Sequence, residues 1–362
     1  MSGALVLRFS IRCGFGSRPV ASVGRRRAAC DVARPPLAYR HAQGGGRASS
    51  WPNVRPPELD HWFCRADRNF RVRRDLQNKD SPVAVSAKKL GLDELKDKAK
   101  AIRRHIIDIT TEAASGHPSS SLSATEVVTA LFFGGFMKLD PKNPTAKERD
   151  RFVLSKGHAV PVLYAAMAEA GFFSVKDIMS LRKLGSVYEG HPNMARLPGI
   201  EASTGSLGQG LSFGLGQALG VRMDKIDSHV YVMTGDGEMG EGQVWEAIAA
   251  AEKYKTSNLT LIIDQNGYQQ TGSTKEVLDL TAFGPKVEAF GWHVQTINGN
   301  DMGEVVKALE AARKITDRPT CIVSQTKKGF GILPVLEKEK DLNYHGKPLS
   351  KKLAEEALAL LS

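Results

Sequence analysis

Two apolar runs in this chain end in side chains suited to binding a hard cation. Residues 230–246 read VYVMTGDGEMGEGQVWE and residues 259–272 read LTLIIDQNGYQQTG. Asp236 and Asn266, at the ends of the two runs, lie 30 residues apart, the length of one strand-helix-strand unit. Such a unit sets both side chains at the same edge of a parallel sheet. A carboxylate, an amide oxygen and a free loop carbonyl are oxygen donors for Mg2+ or Ca2+. With so few protein ligands, Mg2+ completes its shell with phosphate oxygens and water. The glycines around Asp236 let backbone N–H groups approach an anion at the start of the next helix, where the helix dipole favours negative charge. Together these residues point to a metal-bound diphosphate. Four of the nine histidines also stand beside glycine in loops: SGHP at His117, SKGHA at His158, EGHPN at His191 and YHGK at His345. Their spacing is too wide for a zinc cluster.

These groups need a scaffold that gathers loop ends. From Leu92, DELKDKAKAIRRHIIDITTEAA spaces Leu95, Ala99, Ile102, Ile106 and Ile109 as one face of a helix that stops near Gly116 and Pro118. A second helix starts in SLSATEVVTALFF, with Ser123 as its cap and Glu126 three residues on. FVLS, VYVMT, LTLII and CIVSQ read as short buried strands separated by helical stretches, one of them running from about Gln243 to Tyr254. The expected fold is α/β, a parallel sheet with helices on both faces and every strand's carboxyl end on one ligand-binding edge. GSLGQGLSFGLGQALGVRMDK carries five glycines in a helical context, Gly208, Gly210, Gly214, Gly216 and Gly220. Each costs about 1 kcal/mol relative to alanine, so this helix is expected to press closely on a neighbouring layer or subunit.

The chain has 362 residues, 41% of them hydrophobic, and a formal charge of +11. That charge sits at the front: residues 1–80 carry 16 Lys and Arg against 6 Asp and Glu. Beyond them no basic patch interleaves with aromatic residues, and no apolar run reaches the roughly 20 residues of a membrane span, so neither nucleic acid nor membrane is an expected partner. The opening 30 residues hold six arginines and no acid, the composition of an organellar transit peptide, mitochondrial in preference to plastid. A disordered arm, or a start site placed too far upstream, would look the same and would leave a cytoplasmic protein. We assign residues 1–86 to this extension and 87–362 to one domain. Cys13, Cys30 and Cys64 fall in the extension and only Cys321 in the domain, which leaves no disulfide framework or zinc site.

The combination of GDG, a crossover unit and an N-G strand end is the thiamine diphosphate fingerprint, and from about Leu92 onward the chain resembles the N-terminal, diphosphate-binding half of transketolase. SKGHA, STGSLGQG, GDGEMGEGQVWEA and KKGFG are similar to the short, split form of that enzyme, in which two polypeptides share the work. The resemblance implies thiamine diphosphate with Mg2+, or Ca2+ or another divalent cation, as cofactors. It implies Asp236 and Asn266 as side-chain metal ligands and Tyr268 as a ligand through its carbonyl. Gly237 and His158 would hold the diphosphate, and Gly205, Ser206 and Leu207 would line the aminopyrimidine path. His117, His191 and His345 would face a sugar phosphate substrate, with His345 also near the cofactor, and Glu241 would stand at the subunit contact. Two departures stand out. Tyr268, Gln269, Gln270 and Thr271 replace a hydrophobic pair followed by Asp-Gly, and Ser119 and Ser120 stand where glycines are frequent, an expected narrowing of the substrate mouth.

In this family a glutamate from a second, pyrimidine-binding domain activates the cofactor, and nothing after Phe330 resembles that domain. The expected activity is therefore transfer of a two-carbon ketol unit between sugars by a homo- and hetero-oligomer that includes a pyrimidine-domain subunit. Alternatives are a subunit of a deoxyxylulose-phosphate synthase-like or 2-oxo acid dehydrogenase-like enzyme, or a catalytically silent regulatory homologue.

Overall fold

The structure is a computed structural model that describes residues 89–362. The transit-peptide expectation and three of the four cysteines lie outside the described residues. Helix α1 (Leu92–Glu112) forms where the sequence periodicity places it, and Leu95, Ala99, Ile102, Ile106 and Ile109 are all buried. Each of the leucine and isoleucine side chains contributes about 1.5–3 kcal/mol on burial. The helix stops earlier than expected, because Ala114 turns left-handed at φ 46° before Gly116 is reached.

Two helices then follow in place of the expected one, α2 (Pro118–Ser123) and α3 (Thr125–Phe133). Ala124, not Ser123, precedes α3, and the Ser123 hydroxyl donates instead to Asp264 Oδ2 at 2.7 Å. Glu126 is spent on a buried ion pair with Arg103 of α1. The capping pattern was thus two buried polar contacts of tertiary origin.

Strand β1 (Arg151–Leu154) leads through α4 (Val160–Glu169) and α5 (Gly210–Met223) to β2 (Val230–Gly235). Helix α6 (Gly242–Lys253) connects β2 to β3 (Leu259–Gln265). After α7 (Thr274–Val277) and α8 (Phe283–Ala289) come β4 (His293–Asn298), α9 (Met302–Ala312), β5 (Thr320–Gln325), α10 (Leu333–Lys338) and α11 (Lys351–Leu360). The five strands lie in the order β1-β2-β3-β5-β4 and every pairing is parallel. Alternation along the strands divides the core into two layers. Tyr231, Met233 and Ile262 pack toward α1, α3, α4 and α9, while Val230, Val232, Leu261 and Ile263 pack toward α5, α6 and α8. The expected parallel sheet with helices on both faces is what forms. Strand β4 escaped the sequence reading because HVQTIN has no buried apolar run; none of its six residues is fully buried.

Close approach explains the glycines of α5 on one face only. A Cβ at Gly214 would come within 2.2 Å of Val232 Cγ2, and one at Gly210 within 2.3 Å of Ser155 Oγ. Gly216 and Gly220 meet nothing, and Phe213 is half exposed on the same helix.

Candidate functional site

All five strands run the same way, so the segments that follow β1, β2, β3 and β5 converge on one edge. There they enclose a cleft of about 200 Å3. The expected residues His158, Leu207, Asp236, Gly237, Glu241, Asn266, Tyr268 and His345 all line it, as does Ser120.

Asp236 is buried just past β2. Its carboxylate accepts from Gly237 N at 2.9 Å and from Gly267 N at 2.6 Å, and the second bond ties it to the loop after β3. Burial, reinforced by the nearby Asp264 carboxylate, pushes its pKa up to about 6. Asn266 is held by its neighbour two residues back: Nδ2 donates to Asp264 Oδ2 at 3.0 Å, while Oδ1 accepts from Tyr268 N at 3.1 Å. That pins the amide with its oxygen on the side of Tyr268. Among the described residues no three His, Cys, Asp or Glu side chains cluster as a metal centre. A cation at this edge would take one carboxylate, one amide and one carbonyl oxygen and fill its shell from a ligand, which fits a magnesium diphosphate.

Asp264 fixes this arrangement from beneath and was not singled out in the sequence. It is wholly buried at the end of β3, where Lys156 makes an ion pair with it and Ser123, Thr326 and Asn266 donate to it. Burial alone would raise its pKa, but Lys156 together with the Thr326 and Ser123 hydroxyls more than offsets this and holds it low. Lys156 Nζ also donates to the Ser120 carbonyl at 2.9 Å, drawing α2 onto the sheet edge. Glu238 is a second buried acid that the sequence reading passed over. It accepts from Ser155, from Gly208 N at 2.9 Å and from Gly235 N at 3.1 Å, fastening the loop before α5 to the end of β2.

Three of the four histidines form a wall. The ring centroids of His117 and His158 are 5.1 Å apart, and both lie 4.8 Å from that of His345. Burial is the first cause that keeps all three neutral, with nearby cations and the neighbouring imidazoles adding to it. His117 falls to about 3, His345 to about 4 and His158 well below its usual value. Ser120 Oγ bonds His158 Nε2 at 2.9 Å, and His117 Nδ1 is buried without a partner. A buried polar atom left open in this way is one that a ligand hydroxyl can satisfy. His191 stands apart, packed on the loop of Gly205, where a Cβ would come within 2.7 Å of its ring. Gly205 adopts φ 141°, Leu207 reaches the cleft wall and Ser206 is exposed beside it. Ser119 does not line the cleft: it is buried and its hydroxyl donates to the Tyr344 carbonyl at 3.1 Å.

Lys328, from the KKGFG loop after β5, is a second lysine lining the cleft beside Lys156, which is paired with Asp264. Burial lowers the Lys328 pKa to about 8. Its Nζ donates to Asn343 Oδ1 at 2.6 Å, and Asn343 Nδ2 donates to the carbonyls of Gln269 at 3.1 Å and Gln270 at 3.4 Å. One carboxamide therefore joins the lysine loop, the loop after β3 and the segment carrying His345. Glu241 is exposed at the cleft, against Gly208.

The thiamine diphosphate binding domain of transketolase matches residues 95–359 of this chain. Human transketolase is 43% identical over 270 residues, which cover 74% of this chain and 42% of the human protein. The chain thus spans well under half of that relative's length. One of the subunits of the apulose-4-phosphate transketolase of Phocaeicola vulgatus is 41% identical over 230 residues, 64% of this chain and 81% of its own length. The 6-deoxy-6-sulfo-D-fructose transketolase subunit SqwG of a Clostridium species is 42% identical over 238 residues, 66% of this chain and 86% of SqwG. Among solved structures, transketolase from Campylobacter jejuni superposes with a TM-score of 0.70 at 33% identity, covering 75% of this chain and 43% of that one. With its parallel sheet, its cleft at the carboxyl edge and these matches, the chain belongs to the transketolase family and carries that family's thiamine diphosphate binding domain.

Proposed function

We propose that this chain is the diphosphate- and metal-binding subunit of a split transketolase, which moves a two-carbon ketol unit from a ketose phosphate to an aldose phosphate. The observation that carries the reading is the convergence of Asp236, the pinned Asn266 amide, Lys328 and the imidazoles of His158 and His345 on one cleft, with the His117 ring packed against both imidazoles. When bound, thiamine diphosphate supplies the carbon nucleophile that the two-carbon transfer needs. Asp236, Asn266 and the Tyr268 carbonyl hold Mg2+ or another divalent cation. Gly237, His158 and Lys328 hold the diphosphate, and Gly205, Ser206 and Leu207 flank the path of the pyrimidine end. His117, His191 and His345 meet the sugar. A neutral imidazole both donates and accepts, so these rings can orient hydroxyls and move a proton between them.

A partner subunit belongs to this reading. Two relatives that this chain covers over most of their length are named as transketolase subunits, one for a sugar phosphate and one for a sulfo-sugar. Leu207 and Phe213 are exposed beside Glu241 and α5, apolar surface of the kind that marks a subunit contact. The purified chain should show negligible ketol transfer alone and normal turnover once a pyrimidine-domain subunit is added. Turnover of roughly 1 s⁻¹ or more by the chain alone would sink the split reading. Cofactor binding without turnover in the reconstituted pair would favour a silent homologue.

A further inference from the structure

We propose that Ser119 is a positioning residue: its hydroxyl fastens the segment that carries His345 to the helix that carries His117, and so holds the two sugar-facing imidazoles against each other. The inference rests on the transketolase reading and deepens it, because it names what keeps the histidine wall of the cleft in register.

The two histidines come from distant parts of the chain. His117 immediately precedes α2, and Pro118 opens that helix. His345 stands between α10 and α11, in residues 339–350, which belong to no helix or strand. Among the described residues no backbone-to-backbone hydrogen bond ties residues 342–349 to another element. The one they make stays within the segment, from the His345 N–H to the Asn343 carbonyl at 2.6 Å. A segment of this kind keeps a side chain in place only where other groups fasten it.

Helix α2 supplies a fastening. All six residues of PSSSLS are buried, and the hydroxyls of its four serines go to different places. Ser123 donates to Asp264, Ser121 donates to the carbonyls of His117 and Ala159 at 2.9 and 3.3 Å, and Ser120 bonds His158 Nε2. These three tie α2 to the end of β3 and to the turn after β1. Ser119 reaches the other way. Its Oγ donates to the carbonyl of Tyr344, the residue before His345, at 3.1 Å, and its own carbonyl accepts from the N–H of Gly329, the residue after Lys328, at 3.0 Å. The Tyr344 side chain is buried as well. On the far side of His345, a Cβ at Gly346 would lie 3.5 Å from His117 Nε2, so the chain leaving His345 passes against the His117 ring.

The two bonds of Ser119 can be separated. The backbone bond to Gly329 does not depend on the side chain, and Arg103 holds the next turn of that loop through the Phe330 carbonyl at 3.2 Å. Lys328 therefore keeps its place when the hydroxyl is removed. Asn343 fastens the His345 segment to Lys328 and to the loop after β3, which is the diphosphate side of the cleft. The bond from the Ser119 hydroxyl is what joins the same segment to the His117 helix. Its loss frees His345 from His117 and leaves the diphosphate-holding groups alone.

The test reads ring contact and activity separately. In the full chain with labelled histidines, nuclear Overhauser contacts should join the His117 ring to those of His345 and His158, whose centroids lie 4.8 and 5.1 Å away. In Ser119→Ala the contact between His117 and His345 should be lost and that between His117 and His158 kept. Ser119→Thr, which retains the hydroxyl, should restore it, and Ser119→Cys, a weaker donor, should fall between the two. Thiamine diphosphate affinity, measured by calorimetry with Mg2+ present, should be unchanged in all three variants. With a pyrimidine-domain subunit added, Ser119→Ala should lower kcat for ketol transfer about tenfold or more, as displacement of a group that handles the substrate does, with little change in KM and recovery in Ser119→Thr. The assignment is overturned if Ser119→Ala keeps the contact between His117 and His345, if Ser119→Ala and Ser119→Thr lose it alike, or if the contact is lost and kcat is not. It is also overturned if cofactor affinity falls as far as kcat, since Ser119 then supports the diphosphate site. An unsubstituted pair that transfers no ketol unit overturns the transketolase reading and the role of Ser119 in it, and the ring contacts, read on the chain alone, tell that failure apart from a failure of the bond.

Discussion

At the amino edge of the sheet, where β1 and β2 begin, Arg149 grips Glu201 through two bonds of 2.7 and 2.6 Å, and Lys138 pairs with Asp227 at 3.0 Å. At the carboxyl edge only Asp264 has its countercharge, Lys156. Asp236 meets only backbone N–H groups, Lys328 meets an amide, and three imidazoles lean on one another. The same sheet thus closes its charges at one end and leaves them open at the other. A closed pair serves the fold, whereas open groups held in position wait for a ligand to complete them.

The largest expected effects separate the two edges. Asp236→Ala should weaken Mg2+-dependent thiamine diphosphate binding by at least about 100-fold, while Glu356→Ala in α11 leaves it unchanged. Glu201→Ala should do the reverse, destabilising the domain by about 3–5 kcal/mol, because Arg149 is left partly buried without its partner. Its folded fraction should bind the cofactor normally. Calorimetry and urea unfolding on the same three proteins check this. Equal cofactor affinity for Asp236→Ala and Glu356→Ala would remove the metal assignment.

Acid should probe the closed edge through His229, whose burial, with Arg313 nearby, lowers its pKa to about 3. A histidine depressed in the folded state takes its proton first in the unfolded chain. The stability it contributes is therefore complete above about pH 6.5 and is lost as pH falls below it, by about 1.4 kcal/mol per pH unit. Carboxylates raised by burial, such as Asp150, Glu201 and Asp236, act in the opposite sense, so the informative quantity is a difference. Unfolding free energies at pH 7 and 5.5 should converge in His229→Asn relative to the unsubstituted chain, with or without thiamine diphosphate. An unchanged slope would mean that His229 takes up its proton in the fold at the same pH as in the unfolded chain.

The sequence made the scaffold and the ligand-facing groups legible for different reasons. Buried runs such as VYVMT and LTLII announce strands because both of their faces are covered, and HVQTIN does not because its faces are only half covered. Asp236, Asn266 and the histidines were readable because glycine or a strand end marks each one. Lys156, Lys328 and Asn343 were not, since in sequence they look like any solvated polar residue and only the fold removes their water. Asp264 did leave a signal: an acid directly after the apolar run LII in a buried strand has to find a cation or several donors, and it finds both.

Asn343 offers the finest test of the difference between the two edges, because it decides whether the charge on Lys328 stays open. Its Oδ1 accepts from Lys328 Nζ while its Nδ2 donates to the carbonyls of Gln269 and Gln270. Asn343→Ala removes both roles, so thiamine diphosphate affinity should fall about tenfold, the worth of losing one or two hydrogen bonds at a charged group. Asn343→Asp keeps the acceptor, loses the donors and puts a carboxylate against the ammonium. The pair it creates should raise the Lys328 pKa from about 8 and make the apo chain at least as stable as Asn343→Ala. It should also bind thiamine diphosphate more weakly than Asn343→Ala, since the diphosphate then meets a neutralised lysine and a nearby negative charge. The substitution would turn one part of the carboxyl edge into a closed pair like that of Arg149 and Glu201. If Asn343→Asp binds the cofactor as tightly as the unsubstituted chain, the open charge on Lys328 is not what holds the diphosphate, and the contrast between the two edges loses its functional meaning.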